Sequence, residues 1–115
     1  MRPEDLRFQV LRHLEQKPDM TQRELAATLG ISLGRVNYCV QALIERGFVK
    51  AANFRNSRNK RAYLYKLTPN GLTEKAALAL RFLRRKEQER QALLQEIEAL
   101  RAELGEASSH EQGEQ

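Results

Sequence analysis

The sequence predicts a mainly α-helical domain with one small β-hairpin and a long C-terminal helix. Three observations predict it. Start and stop signals divide the first 47 residues into three short helices, and a period-two stretch then flanks a basic run. After that comes a long segment free of helix breakers, with apolar residues at heptad spacing.

Pro3, Glu4 and Asp5 suit a helix start, because proline presets φ and the carboxylates favour the positive end of the helix dipole. Leu6, Val10, Leu11 and Leu14 recur at helical spacing, so a first helix is expected from about Pro3 to Gln16. Pro18 and Asp19 break it. Thr21 with Glu24 forms a capping box, which starts a second helix over about Gln22 to Leu29. Gly30 offers the left-handed residue after its end, and Ser32 caps a third helix expected to reach Arg46 before Gly47 stops it. Met20 with Leu25, Ile31 with Val36, and Leu67 with Leu72 each have hydrophobic-staple spacing around a cap.

Phe48, Val49 and Phe54 lead into a polar stretch, and Tyr63, Tyr65 and Leu67 then alternate with period two. This reads as a two-stranded hairpin with a basic tip from Arg55 to Arg61. The alternating tyrosines are read as core. Thr68 caps the last helix with Pro69 at its first position, and no breaker follows Gly71 until Gly105, a rod of about 54 Å at 1.5 Å per residue. Leu72, Ala76, Ala79, Leu83, Leu93, Ile97, Leu100 and Leu104 share one seam, interrupted by Lys86 and Arg90. Ala76, Ala79 and Leu83, helped by Leu80, are expected to pack on the domain core. Leu93, Ile97, Leu100 and Leu104 are left for a partner, and a homodimer is the simplest one. The expected organisation is a domain over 1–68, a helix over 69–104 and a disordered polar tail over 105–115.

Composition narrows the function. Twenty Lys and Arg against 15 Asp and Glu give a net charge of +5, and a basic chain favours a polyanionic partner. Between Ile31 and Lys66 lie Arg35, Arg46, Lys50, Arg55, Arg58, Lys60, Arg61 and Lys66, with Glu45 as the lone acid. The segment after Pro69 is charge-mixed and slightly acidic. No apolar run has signal-peptide or membrane-spanning length, and Cys39 is a single cysteine, so a soluble, cytoplasmic protein without membrane attachment is expected. His13 and His110 have no companions at metal-ligand spacing, so neither metal nor cofactor is expected. No phosphate-cradling glycine loop, nucleophile with a His base or paired carboxylates support an enzyme.

Helix, helix, glycine turn, helix and basic hairpin is the order of a winged helix-turn-helix, whose second motif helix lies in the major groove of double-stranded DNA. Val36, Val40, Leu43 and Ile44 should face inward on the third helix. Ser32, Leu33, Gly34, Arg35, Asn37, Tyr38 and Gln41 then face outward, with no acid among them. Arg can bond guanine and Asn or Gln adenine, while Gly34 permits close approach to a phosphate. Thr21 and Gln22, at the start of the second helix, join this candidate DNA surface. The hairpin tip adds Arg55, Asn56, Ser57, Arg58, Asn59, Lys60 and Arg61, donors suited to phosphates or a narrow minor groove.

The stretch MTQRELAATLGISLGRVNYCVQALIERGFVK with YLYKLTPNGL closely resembles the MarR-like winged-helix regulators over roughly residues 6 to 85. The short length, the NSRNKR wing and the single terminal helix look most like the small MarR-type regulators associated with bacterial exopolysaccharide gene clusters. That resemblance implies a transcriptional regulator, and the two-fold symmetry of the homodimer expected from the apolar seam implies an inverted-repeat operator. The chain departs from full-length members in the additional N-terminal and final helices of their dimerisation domain, which leaves the family's ligand pocket, and any small-molecule effector, open. Some relatives use a cysteine as an oxidation sensor; Cys39, between Tyr38 and Val40, is read instead as a small buried hydrophobe. Two other readings stay open, a winged-helix protein-interaction module and a non-specific nucleic-acid-binding protein.

Overall fold

The computed structural model describes residues 1–55 and 61–105. In chain order the elements are α1 (Pro3–Gln16), α2 (Gln22–Leu29), α3 (Leu33–Glu45), β1 (Val49–Arg55), β2 (Arg61–Leu67) and α4 (Pro69–Glu103). Met1–Leu80 forms one compact unit, and the residues from Arg81 onward form a second. The fold class is as expected: mostly helical, with one antiparallel hairpin and a long last helix.

The helix ends follow from their caps. Thr21 Oγ1 accepts the Glu24 N–H at 3.0 Å while the Thr21 N–H donates to Glu24 Oε1 at 2.9 Å, so two of the four unpaired donors at the start of α2 are satisfied reciprocally. The Thr21 N–H, with Lys17 nearby, holds the Glu24 carboxyl below the usual carboxylate range. Because the folded value is the lower one, this part of the cap is complete above that range and is lost as pH falls through the folded value. Gly30 ends α2 at φ +69°, and Ser32 Oγ accepts the Arg35 N–H at 3.1 Å to start α3. The third helix ends one residue earlier than expected, with Arg46 as its C-cap and Gly47 following at φ +80°.

The core of the first unit is drawn from every element. Leu6, Phe8, Val10, Leu11 and Leu14 come from α1, Leu25 and Ala26 from α2, and Val36, Cys39, Val40 and Leu43 from α3. Val49, Tyr65 and Leu78 close it from the hairpin and α4. On α3 the fourth inward residue is Cys39 and not Ile44, which is half-buried. The hairpin register runs from Val49 opposite Leu67 to Arg55 opposite Arg61. Those two arginines therefore end the strands instead of belonging to the tip. The Tyr65 N–H donates to the Pro18 carbonyl at 2.9 Å, which pins β2 to the α1–α2 connection.

The rotation of α4 differs from the expected one. Gly71 and Leu78 are its buried residues, whereas Leu72, Leu80 and Leu83 are 46–53 % exposed and Ala76 is exposed as well. The inward face is thus displaced by one position from the heptad seam read in the sequence, about 100° around the helix. Gly71 explains this. A Cβ there would lie 2.0 Å from the Phe48 carbonyl oxygen, so only glycine lets the two backbones approach this closely. Thr68 fixes the same junction: its Oγ1 donates to the Gly47 carbonyl at 2.6 Å and accepts the Gly71 N–H at 3.0 Å, and its N–H donates to the Phe48 carbonyl. With Gly71 held inward, Leu78 follows seven residues later on the same face, and Leu72 and Ala76 turn outward.

Candidate nucleic-acid interface

The outward face of α3 is built as its period requires. Burial of Val36, Cys39, Val40 and Leu43 leaves Ser32, Leu33, Gly34, Arg35, Asn37, Tyr38 and Gln41 exposed, Tyr38 to 80 %. None of these is acidic. The two caps that shape the turn leave the N-terminal end of α3 open to solvent, where unpaired backbone N–H groups and the helix dipole favour an anion. Nothing lies within 4 Å of a Cβ built on Gly34, so the space in front of it is open. The Arg35 guanidinium donates to the Met1 carbonyl at 3.3 Å.

Thr21 and Gln22 sit differently. The Thr21 hydroxyl is engaged in the capping box, although the residue is exposed. Gln22 is half-buried: its Nε2 donates to Tyr65 Oη at 3.1 Å, and its Oε1 accepts from Asn37 Nδ2 at 3.1 Å. Sequence reasoning missed this link, which joins α2, α3 and β2 across 43 residues. Only a three-dimensional arrangement could reveal it.

In the hairpin, Lys50 and Lys66 face each other directly across the strands, and both are exposed. Like charges in register are unfavourable for the sheet itself. Each lysine was visible in the sequence, but the pairing follows only from the register. The backbone register also pairs Arg55 with Arg61 at the far end of the ladder. Asn56, Ser57, Arg58, Asn59 and Lys60 lie outside the described residues, as does the tail from 106 onward. Cys39 is buried, and that burial pushes its thiol up despite the opposing influence of Arg7 and Arg35. Such a thiol is a weak nucleophile at neutral pH.

Leu93, Ile97, Leu100 and Leu104 are 38–72 % exposed on α4, and Leu94 beside them is 48 % exposed. Lys86 and Arg85 both pair with Glu89 along the same helix. Among the described residues no helix is long and apolar enough to cross a membrane, and no group of three His, Cys, Asp or Glu side chains is placed to hold a metal ion.

Comparison with known proteins agrees with this geometry. Residues 3–50 match the family model described as winged helix-turn-helix DNA-binding. The first unit is a winged helix-turn-helix. Among solved structures, wild-type MarR from E. coli in its apo form is 25 % identical, with a TM-score of 0.63 over 89 % of this chain and 76 % of that one. The PcaV transcriptional regulator from Streptomyces coelicolor, in complex with its natural ligand, is 23 % identical, with a TM-score of 0.61 over 88 % and 75 %. A mutant MarR from E. coli complexed with operator DNA is 27 % identical, with a TM-score of 0.51 over 64 % of this chain and 51 % of that one. No curated protein sequence matches the chain. The winged helix-turn-helix and its MarR-family structural neighbours support a DNA-binding transcriptional regulator.

Proposed function

We propose that the chain is a non-enzymatic, sequence-specific DNA-binding transcriptional regulator that acts as a homodimer on an inverted-repeat operator. The observation that carries this reading is the exposed, acid-free face of α3, from Ser32 to Gln41, in the same compact unit as a hairpin with opposed lysines. A helix that merely faced solvent would mix acids with bases along its surface. This one offers donors and amides suited to base edges, led by Arg35, Asn37 and Gln41. Lys50 and Lys66, unfavourable to each other in the free hairpin, are relieved when a phosphate backbone lies against them. Arg55 and Arg61 at the strand ends, with Arg58 and Lys60 between them in sequence, add donors suited to the backbone or the minor groove.

The homodimer is the occupant that suits α4. Its exposed apolar residues include Leu72 and Leu80 in the first unit as well as Leu83, Leu93, Ile97, Leu100 and Leu104 in the second. A second copy offers the same heptad seam, so knobs and holes match by symmetry. The narrower assignment to exopolysaccharide genes rests on the sequence resemblance alone, and no structural relative named above bears on it.

Selection of bound sites from random double-stranded DNA tests the proposal. The expected result is an inverted repeat whose half-sites lie one helical turn apart, about 34–36 Å. A dimer with 6 to 10 phosphate contacts should lose roughly 10³- to 10⁵-fold in affinity between 50 and 200 mM salt. Recovery of no preferred sequence, or a flat salt response, overturns the reading.

A further inference from the structure

We propose that Gln22 is a positioning residue that orients the Asn37 side chain toward adenine and anchors that orientation to the wing through Tyr65. The inference rests on the DNA-reading role proposed above for α3. Asn37 Nδ2 donates to Gln22 Oε1, and Gln22 Nε2 donates to Tyr65 Oη, each at 3.1 Å. The three residues sit on three different elements, α3, α2 and β2.

The inner end of this relay is fixed. Tyr65 is buried at 5 % exposure, and its backbone N–H is held by the Pro18 carbonyl at 2.9 Å. Gln22 is the first residue of α2, directly after the Thr21 capping box, so its backbone is equally constrained. The outer end is free to meet a ligand: Asn37 is exposed, and among the described residues nothing donates to its Oδ1.

A primary amide carries two N–H donors and one acceptor oxygen. With one Nδ2 hydrogen engaged by Gln22, Asn37 is left with one donor and its acceptor oxygen. That pair complements the N7 acceptor and N6 donor that adenine shows in the major groove. Without Gln22 the amide torsion is broad and nearly two-fold, so donor and acceptor can exchange places and the match to adenine is lost for half of the orientations. Gln22 therefore acts through Asn37, and its own polar atoms face the relay instead of the DNA.

The test compares base preferences of the full chain and its variants by selection from random DNA, with thermal melting of each protein alongside. Asn37→Ala identifies the operator position that depends on Asn37, and the wild type is expected to prefer adenine there. Gln22→Leu should reduce that preference by about tenfold or more while leaving other positions unchanged. Gln22→Glu should retain it, because one carboxylate oxygen still accepts from Asn37 and the other can accept from Tyr65 Oη, even though the added charge lowers affinity for all DNA. Tyr65→Phe, which keeps the buried ring, should cause a smaller loss confined to the same position. Adenine preference unchanged in Gln22→Leu overturns the inference. So does a loss spread evenly over all positions, or a fall in melting temperature alone, either of which would mark a purely structural role. A position that prefers thymine or guanine overturns the adenine assignment. If the wild type shows no base preference and Asn37→Ala is without effect, the failure lies in the DNA-reading role of α3, and the relay falls with it.

Discussion

α3 and α4 are both amphipathic helices, yet what each leaves in water is opposite in character. The buried face of α3 is filled by Val36, Cys39, Val40 and Leu43, and its exposed face is polar or basic apart from Leu33 and Tyr38. α4 buries Gly71 and Leu78, and it exposes Leu72, Leu80, Leu83, Leu93, Leu94, Ile97, Leu100 and Leu104. A complete core with a polar outer face is how a helix is presented to a hydrated, charged ligand. An apolar outer face has no such stable end state in water and calls for another apolar surface. The same chain therefore carries two exposed surfaces of opposite character, one polar and basic and one apolar.

Cutting the chain after Glu89 tests the α4 half of this contrast with the largest expected effect. It removes Leu93, Ile97, Leu100 and Leu104 from each protomer. Full burial of a Leu or Ile stabilises by about 1.5–3 kcal/mol, and at exposures of 38–72 % roughly half of that is still to be gained on pairing. Four residues from each of two chains then amount to several kcal/mol, enough to separate a dimer from a monomer at micromolar concentration. Sedimentation should show a monomer that retains the winged unit. A truncated protein that still dimerises would place the interface on Leu83 or in the first unit, Leu72 and Leu80 included.

The next largest effect concerns how the start of α4 packs against Phe48 within the first unit. Gly71→Ala puts a methyl group where the Phe48 carbonyl oxygen now sits, 2.0 Å away, and backbone cannot yield as a flexible side chain would. A loss of about 3 kcal/mol is expected, which is roughly 12–24 °C in melting temperature for a domain of this size. A shift of only a degree or two would mean that Gly71 does not fix the rotation of α4.

These cases also mark what the sequence could reveal. Thr21 with Glu24, Gly30, Ser32 and Thr68 act on residues three or four positions away, and the helix boundaries they imply match the structure to within a residue. The exposed face of α3 was equally legible, because one helical period with a strong apolar stripe admits a single inward side. α4 carries two candidate seams one position apart: Leu72, Ala76, Ala79 and Leu83 against Gly71, Leu78 and their neighbours. Periodicity favours the first by hydrophobicity. The second is chosen by a backbone approach to Phe48 that leaves no local trace beyond a glycine. The Asn37–Gln22–Tyr65 relay and the Lys50–Lys66 opposition likewise depend on which distant residues the fold brings together.

On α3, Arg35→Ala probes reading directly. The side chain is exposed and the Ser32 cap bonds the Arg35 backbone, which the substitution leaves in place. Fold stability should change little, while affinity for the preferred operator should fall by about 1–3 kcal/mol and preference should relax at one or two base pairs. An equal loss on all sequences would make Arg35 a phosphate contact, and would move base reading to other residues of the helix.

The smallest effect separates the two helices through their glycines. Gly34 lies in the first turn of α3 with nothing within 4 Å of a built Cβ, so Gly34→Ala meets no clash of the kind that Gly71→Ala must create. Alanine restricts the unfolded chain and favours helix, so the free protein should gain roughly 0.5–1 kcal/mol. In the complex, the added methyl group stands where α3 would approach the DNA, and operator affinity should fall even as melting temperature rises. That divergence is the informative result, since a residue important only to the fold would move both quantities in the same direction. If Gly34→Ala gains stability and binds DNA as well as the wild type, the N-terminal end of α3 does not approach the groove closely, and a docking mode led by Asn37, Tyr38 and Gln41 in the middle of the helix replaces the one argued here.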